Sequence, residues 1–490
     1  MSQAILLNQL AQLENPDGVI VLALTSSPPL LQVLARSLHG LTSGDSQFAI
    51  ICNWEVPVLA RPWVAFQSTV EDSVHHGGKH LALRFGQNGE HLADLPGYRA
   101  DGQAARTSDG VVVSQMRALP VTLGSRTLLD NNSALIIPKL HNHLLAIWCF
   151  CSSPAFNLAV RTINQKLSID CGYFVKVPFD LDHWQKVANE RYPDGLPEPH
   201  SDDPTQWLFL GDIPSCTDPL QVAMARLLGY RWPDQPEDPL DSFTDEDGIV
   251  TLSPLVNQEG LANRLRDLLQ AAYQTPAPSR PKGAPTVEAP RVWNETTLPR
   301  LLTQTGSIGL SLEEWLRDKF FDAHAKLFHQ RPFIWHIWDG RKDGFHAFVN
   351  YHKLNGRNLE NLTHVYLGEW IERQRAAADA GDRTADGRLI AAQALQKKLE
   401  LIRLGEEPFD IYVRWKPVAE QAIGWEPDLN DGVRMNIRPF VQAGILRGKV
   451  NVKWDKDRGK DPKPNPSGTT DRHNDLHFSL AAKRAAREAS

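Results

Sequence analysis

The side chains best placed for chemistry in this 490-residue chain are its histidines, in His75-His76 with His80, in His141-Asn142-His143, and in the run Asp471-Arg-His-Asn-Asp475-Leu-His477. A metal site needs ligands converging at short spacing, commonly His with Cys or paired carboxylates. The first two groups have no such neighbours in sequence. The letters His141-Asn-His143 also lack the ββα context of an HNH nuclease, because the apolar run Leu144–Phe150 follows. The third run reads as a helix start, with Asn474 or Asp475 capping Leu476–Ala486. The five cysteines (Cys52, Cys149, Cys151, Cys171 and Cys216) form no CxxC pair and read as reduced, mostly buried thiols. No metal is expected.

Cofactor chemistry leaves no mark either. The sequence has no GxGxxG, no GxxxxGK[ST] and no FxGxG, the glycine-rich turns that let backbone approach a phosphate or adenosine group. Methyl transfer to adenine N6 needs an Asn/Asp-Pro-Pro-aromatic loop to hold the amino group and stack the flipped base. Ser27-Pro28-Pro29-Leu30 has neither amide nor ring, and reads as the turn after a strand at Val19–Leu24.

What remains is basic and aromatic. The formal charge is −6, and 42% of residues are hydrophobic against 22% charged, so bulk charge does not mark a nucleic-acid binder. Locally the balance differs. Residues 194–247 hold 13 Asp/Glu against Arg226 and Arg231, whereas residues 431–490 hold 13 Lys/Arg against 7 Asp/Glu. Within the tail, Arg447, Lys449, Lys453, Lys456, Arg458, Lys460 and Lys463 surround Trp454 and can lie along a phosphate backbone. Arg341 and Lys342 sit at a turn. Around 117–166 the side chains able to contact phosphates or base edges are Arg117, Arg126, Asn131, Lys139, His141, His143, Arg161, Asn164, Gln165 and Lys166. Arg161 and Gln165, four apart in an expected helix over 155–167, should share a face.

These residues need elements to position them. β-branched and aromatic runs predict strands at Phe48–Trp54, Leu81–Phe85, Gly110–Val113, Ala134–Pro138 and Tyr173–Val177, and helical spacing marks Leu144–Cys151. Leu261, Leu265, Leu268, Leu269 and Ala272 form one helical stripe. Ser311-Leu-Glu-Glu314 is a capping box. Phe333–Trp338 and Phe345–Tyr351 flank Asp339-Gly-Arg-Lys-Asp-Gly344 as a hairpin covered on both faces, and helices follow at about 362–378 and 386–404. The expected class is α+β. The expected order is a target-recognition-like α+β domain (1–182), an acidic segment that turns helical (183–274), a Pro-rich linker (275–298) and a C-terminal domain with helices, a β-hairpin and a basic tail (299–490).

Several longer blocks resemble the C-terminal, post-catalytic region of the adenine-specific DNA methyltransferases of bacterial phage-defence systems, the BREX and DISARM type, and related type IIG restriction-modification enzymes. They include Gly40-Leu-Thr-Ser-Gly-Asp45, Trp54-Glu55, Asn164-Gln-Lys-Leu167 and Phe174-Val-Lys-Val-Pro-Phe-Asp-Leu181. Ser201-Asp-Asp-Pro-Thr-Gln-Trp207 and Arg226-Leu-Leu-Gly-Tyr-Arg-Trp-Pro233 follow. Beyond residue 298 come Arg331-Pro-Phe-Ile-Trp-His-Ile-Trp-Asp-Gly340, Tyr366-Leu-Gly-Glu-Trp-Ile371, Asn430-Asp-Gly-Val-Arg434, Asn436-Ile-Arg-Pro-Phe440 and Lys453-Trp-Asp-Lys-Asp-Arg458. The family commonly carries basic residues after its Gly-Leu-Thr-x-Gly-Asp turn, where this chain has Phe48-Ala-Ile-Ile-Cys52.

The resemblance implies a DNA target-recognition and scaffold half without its own catalytic domain. S-adenosylmethionine would then be bound by a catalytic partner, and no cofactor by this chain. The expected partners are double-stranded DNA, that methyltransferase subunit or domain, and other phage-defence proteins. The expected DNA-contacting residues are Arg126, Lys139, Arg161, Gln165, Lys166, Arg341, Lys342, Lys453, Lys456 and Arg458. A protein-interaction scaffold, docking through the acidic segment and the hydrophobic hairpin, is the alternative. No apolar run approaches the roughly 18 residues of a membrane span, and a cytoplasmic location is expected.

Overall fold

The computed structural model describes residues 29–256, 258–276, 282–283, 291–409, 417–452 and 479–489. The fold is α+β, with small, mainly antiparallel sheets among many helices. The chain divides into two compact units. One comprises residues 1–50, 59–201 and 279–286, the other 51–58, 202–278 and 287–490.

The first unit is built on a four-stranded antiparallel sheet. In chain order its strands are β1 (Ala35–His39), β4 (Asp109–Ser114), β5 (Val121–Ser125) and β7 (Ser133–Pro138), arranged β1-β7-β4-β5. Beside it β2 (Trp63–Gln67) pairs antiparallel with β3 (Leu81–Arg84) and parallel with β6 (Leu128–Leu129). The apolar run through β4 reflects two covered faces: Val111 and Val113 enter one core with Ala134 and Ile136, while Val112 packs with Leu135 and Ile137 in another. The first core is roofed by α1 (Leu144–Cys151), whose residues Ala146–Cys151 are all buried, as befits a helix apolar all round. Helices α2 (Pro154–Ile163) and α3 (Leu181–Arg191) complete the cover.

Three expected elements differ. Phe48–Trp54 is not a continuous strand: Asp45 accepts the Gln47 and Phe48 N–H groups and opens a helical turn, and a 3₁₀ turn follows at Asn53–Glu55. Tyr173–Val177 is not a strand either; successive i→i+3 bonds from Tyr173 to Asp170 and from Lys176 to Tyr173 wind Cys171–Val175 into a 3₁₀ helix. Helix α2 stops at Ile163 rather than near 167, because Asn164 is extended and its side-chain oxygen accepts the Lys166 N–H at 3.0 Å. An Asn side chain that competes for backbone in this way ends helices.

In the second unit the acidic segment and the C-terminal region share one core. Helix α4 (Pro219–Leu227) and β8 (Ile249–Thr251) come from the acidic segment. The amphipathic α5 (Leu261–Gln274) follows, then the capped α6 (Leu312–Asp318), α7 (Phe320–Leu327), β9 (Ile334–Trp338) and β10 (His346–Asn350). β8 adds to the hairpin by pairing with β10. The hairpin turn is organised by Asp339, which accepts the Arg341 and Phe345 N–H groups at 2.9 Å each. Helices α8 (Leu367–Asp379), α9 (Arg383–Leu404), α10 (Gly432–Asn436) and α11 (Arg438–Ala443) follow.

Both hairpin faces are buried, and its polar groups are satisfied inside apart from His336 Nδ1, which has no partner among the described residues. His324 donates from Nδ1 to Gln221 Oε1 at 3.0 Å and accepts the Ile334 N–H at Nε2 at 3.1 Å. His346 Nε2 donates to the Arg341 carbonyl, which leaves its Nδ1 to accept from His336 Nε2, both at 2.9 Å. His324 and His346, each with one donating and one accepting nitrogen, are therefore neutral. Burial agrees, pushing His324 down to about 3, His346 and His352 down to about 4, and His336 well below the usual histidine range. The unfolded chain takes up these protons near 6.5, whereas the folded chain refuses them, so stability is full above about 6.5 and falls as pH is lowered toward about 4. Urea denaturation followed by tryptophan fluorescence is expected to show that decline, with a shallower slope in His324→Gln. A flat profile would contradict neutral histidines.

Candidate functional site

The candidate DNA-contacting residues of the first unit divide between opposite ends of its main sheet. At one end, Arg126 follows β5, has a side chain 71% exposed, and lies 3.6 Å from Asp109. At the same end Lys139 follows β7 and donates to the Val33 carbonyl at 2.9 Å. The β4–β5 turn, Gln115–Pro120, lies at the other end, and there Arg117, Arg161 and Lys166 come together. Met116 bridges to Ser168, and Ile169 donates its N–H to the Gln115 carbonyl at 3.0 Å, docking the 164–170 loop onto the turn. Arg161 does not share a helical face with Gln165, because the helix has ended before Gln165. It instead turns its guanidinium onto backbone, donating to the Arg117 carbonyl at 2.6 Å and to the Lys166 carbonyl.

In the second unit Arg341 is held by Asp343 through Nε and Nη2 at 3.0 and 3.1 Å, while Lys342 is exposed. Lys453, Lys456 and Arg458 lie outside the described residues, as do the 471–477 run and Ser27-Pro28.

Of the histidines singled out in sequence, His75 and His76 are packing groups. His75 bonds the Tyr192 hydroxyl at 2.9 Å, which also accepts from Trp148 Nε1 at 3.1 Å, and His76 bonds the Pro197 carbonyl at 3.0 Å. His141–His143 form one 3₁₀ turn leading into α1. Among the described residues no three His, Cys, Asp or Glu side chains gather as a metal site.

Four acids of the acidic segment are held in ion pairs. Arg226, with a side chain 3% exposed, reaches both Asp238 and Asp241; Arg231 also pairs with Asp241, Arg264 with Asp245, and Arg291 with Asp212.

One centre escapes sequence reasoning. Glu55, only 2% exposed, accepts the Cys52 N–H at 2.9 Å with one oxygen and the Val433 N–H at 3.0 Å with the other. Burial raises its carboxyl, against the opposing effects of Arg331, those two N–H groups and Arg434. Gly432 makes the approach possible: it has φ +75°, and a Cβ there would stand 2.7 Å from the carboxylate. Asn436 Nδ2 then ties the turn together, within 2.9 Å of the Tyr351 hydroxyl and of the Asp428 and Gly432 carbonyls. Trp54 Nε1 donates to the Arg331 carbonyl at 3.0 Å. Trp54-Glu55 and Asn430–Arg434 stood out in sequence as separate blocks, but nothing local pairs Glu55 with a segment 378 residues away. With both oxygens engaged by donors, this carboxylate holds structure and is not a general base. Exposed cationic side chains occur at the Arg117–Lys166 end of the first unit, at Arg126 and at Lys342.

No protein-family model matches the chain, and no curated protein matches its sequence.

Glu55→Gln is expected to leave one of the two N–H donors facing an amide NH₂ in the core. A buried unsatisfied donor costs about 1–3 kcal/mol. Gly432→Ala is expected to destabilise as well, and the two together less than additively, because they disrupt one contact. Denaturation curves of the single and double variants test this; additive or negligible effects would remove Glu55 from that role.

Proposed function

We propose that this chain is the DNA target-recognition and scaffold half of an adenine-N6-specific DNA methyltransferase from a bacterial phage-defence system of the BREX or DISARM kind, or from a restriction-modification system. In this reading it acts in the cytoplasm and carries no cofactor. A catalytic domain or subunit binds S-adenosylmethionine and flips the adenine, and other defence proteins are further partners. Among the described residues no single helix is long and apolar enough to cross a membrane.

The observation that carries the proposal is the cationic end of the first unit. Arg117, Arg161 and Lys166 adjoin Gln165 there, and among the described residues none of the three cations is paired with a carboxylate. Of these, Lys166 suits phosphate contact, and Arg117 and Gln165 are side chains of the kind that address base edges, while Arg161 is engaged with backbone. A second support is that blocks carrying the sequence resemblance meet around Glu55: Trp54-Glu55, the segment from Arg331, Asn430–Arg434 and Asn436–Phe440 build one centre. Resemblance concentrated in buried keystones fits a shared scaffold. The protein-docking alternative relies on the acidic segment and the aromatic hairpin. It is less favoured, because the hairpin faces are buried and Asp212, Asp238, Asp241 and Asp245 are already held in ion pairs.

Duplex binding by the full chain is expected to weaken with salt. The one phosphate contact assigned to Lys166 contributes a loss of about 3.5-fold between 50 and 200 mM salt. Fluorescence anisotropy with a labelled duplex measures it. Undetectable binding at low salt, both alone and with the catalytic half, would overturn the proposal.

A further inference from the structure

The cationic end of the first unit separates one side chain that can read from one that holds. Arg117 sits at the tip of the β4–β5 turn with φ 59°, and Leu119 has φ 56°. Left-handed backbone is uncommon for residues other than glycine, Asn and Asp, and a turn with no further duty commonly places those residues there. This one is instead clamped. Leu119 is 1% exposed and anchors the tip, its N–H donates to the Met116 carbonyl at 3.1 Å, and Ser114 closes the turn on the Pro120 carbonyl at 2.9 Å. The Arg161 guanidinium then binds the Arg117 carbonyl at 2.6 Å and the Lys166 carbonyl, so one side chain joins the turn to the 164–170 loop. Met116, Arg117 and Ala118 remain exposed, as do Gln165, Lys166 and Leu167.

The geometry points to Arg117 as a sequence-reading residue that enters the DNA major groove beside Gln165, to Lys166 as a backbone contact, and to Arg161 as the positioning residue that sets the tip. The inference rests on the DNA-recognition reading above. Its physical basis is the division of hydrogen-bonding capacity. Arg161 has turned both terminal nitrogens onto backbone carbonyls, so its fork is not free for a base. Arg117 makes no side-chain hydrogen bond or ion pair among the described residues, and its backbone is held from two sides. A guanidinium presented on a fixed tip is organised for the bidentate contact that Arg makes with guanine O6 and N7, and Gln makes the corresponding contact with adenine N6 and N7. The two adjoining loop tips suit a groove about 12 Å wide. Lys166, a flexible point charge, suits a phosphate.

The experiment uses the full chain and a pool of duplexes with a randomised centre, selected at about 50 mM salt, followed by titration of the recovered sequence. The wild type is expected to recover a motif. Arg117→Ala is expected to lose preference at one position of that motif and about 10- to 100-fold in affinity for it. Lys166→Ala is expected to weaken all duplexes alike and to reduce the salt slope by about one. Arg161→Lys is the discriminating variant: charge is kept but one ammonium cannot reproduce the planar clamp. Loss of sequence preference with an unchanged salt slope supports positioning, provided its melting temperature shows the unit folded. Preference retained in Arg161→Lys would overturn that role. If the wild type selects a motif and Arg117→Ala selects the same motif with the same affinity, the inference fails while the DNA reading stands. If the wild type retains no duplex, alone or with the catalytic half, the DNA reading itself fails. Arg117-dependent capture of polyglutamate without duplex binding would assign the tip to an acidic protein surface instead.

Discussion

A two-stranded hairpin buried on both faces is the constraint around which the second unit is arranged. Water can satisfy no polar group there, and an unmatched donor or acceptor in such a place costs as much as several good apolar contacts contribute. The unit meets most of the requirement with directional relays, leaving His336 Nδ1 without a partner among the described residues. His324 joins Gln221 of α4 to the Ile334 amide at the start of β9. His336 and His346 pass a single donor direction to the Arg341 carbonyl in the turn. Asn350 donates to the Leu228 carbonyl, tying β10 to the end of α4. The aromatic rings fill the remaining volume, Trp335 stacking on Tyr351 at 5.2 Å and lying 4.9 Å from Phe440. Polar bonds set the register and rings supply the buried area, so neither alone specifies the arrangement.

Glu55 extends the same logic to distant chain. Its short segment enters the second unit as a buried carboxylate whose two oxygens each receive a backbone N–H. The glycine at 432 is required twice over, by its positive φ and by the absence of a Cβ against that carboxylate. Burial and hydrogen bonding act oppositely on the proton here, desolvation favouring the acid and the N–H donors the anion. That tension explains why the carboxyl is raised although two arginines stand nearby.

The distribution of charge bears on function in a comparable way. In the acidic segment, Arg226 and Arg264 turn part of the surplus charge, at Asp238, Asp241 and Asp245, into internal ion pairs. In the first unit the reverse holds. Arg117, Arg161 and Lys166 are scattered in sequence but adjoin in space without acidic partners among the described residues. A patch of that kind is tolerated on a stable unit at little cost because solvent screens it, and it remains available to an anion.

Much of the architecture was legible in residue order because local periodicity and local capping are themselves the cause of the elements concerned. The stripe from Leu261 to Ala272, the Ser311–Glu314 box, the wholly apolar Leu144–Cys151 helix and the Asp-Gly hairpin needed no distant partner to be recognised. The α+β class follows from them. Where a single side chain diverts the backbone, periodicity misleads: Asp45 opened a turn inside an apolar run, and Asn164 ended α2 before Gln165 could join the face of Arg161. The candidate site was legible as a set of residue types but not as a place. Sequence determined that Arg117, Arg161, Gln165 and Lys166 exist with suitable chemistry. Only the tertiary structure decided that Arg161 is turned inward onto two carbonyls while Arg117 is left outward, and that Arg126 and Lys139 belong to the opposite end of the sheet. The physical reason is that strand pairing and hydrogen bonds between distant segments set which end of a sheet a side chain occupies and which of its donors remain unused.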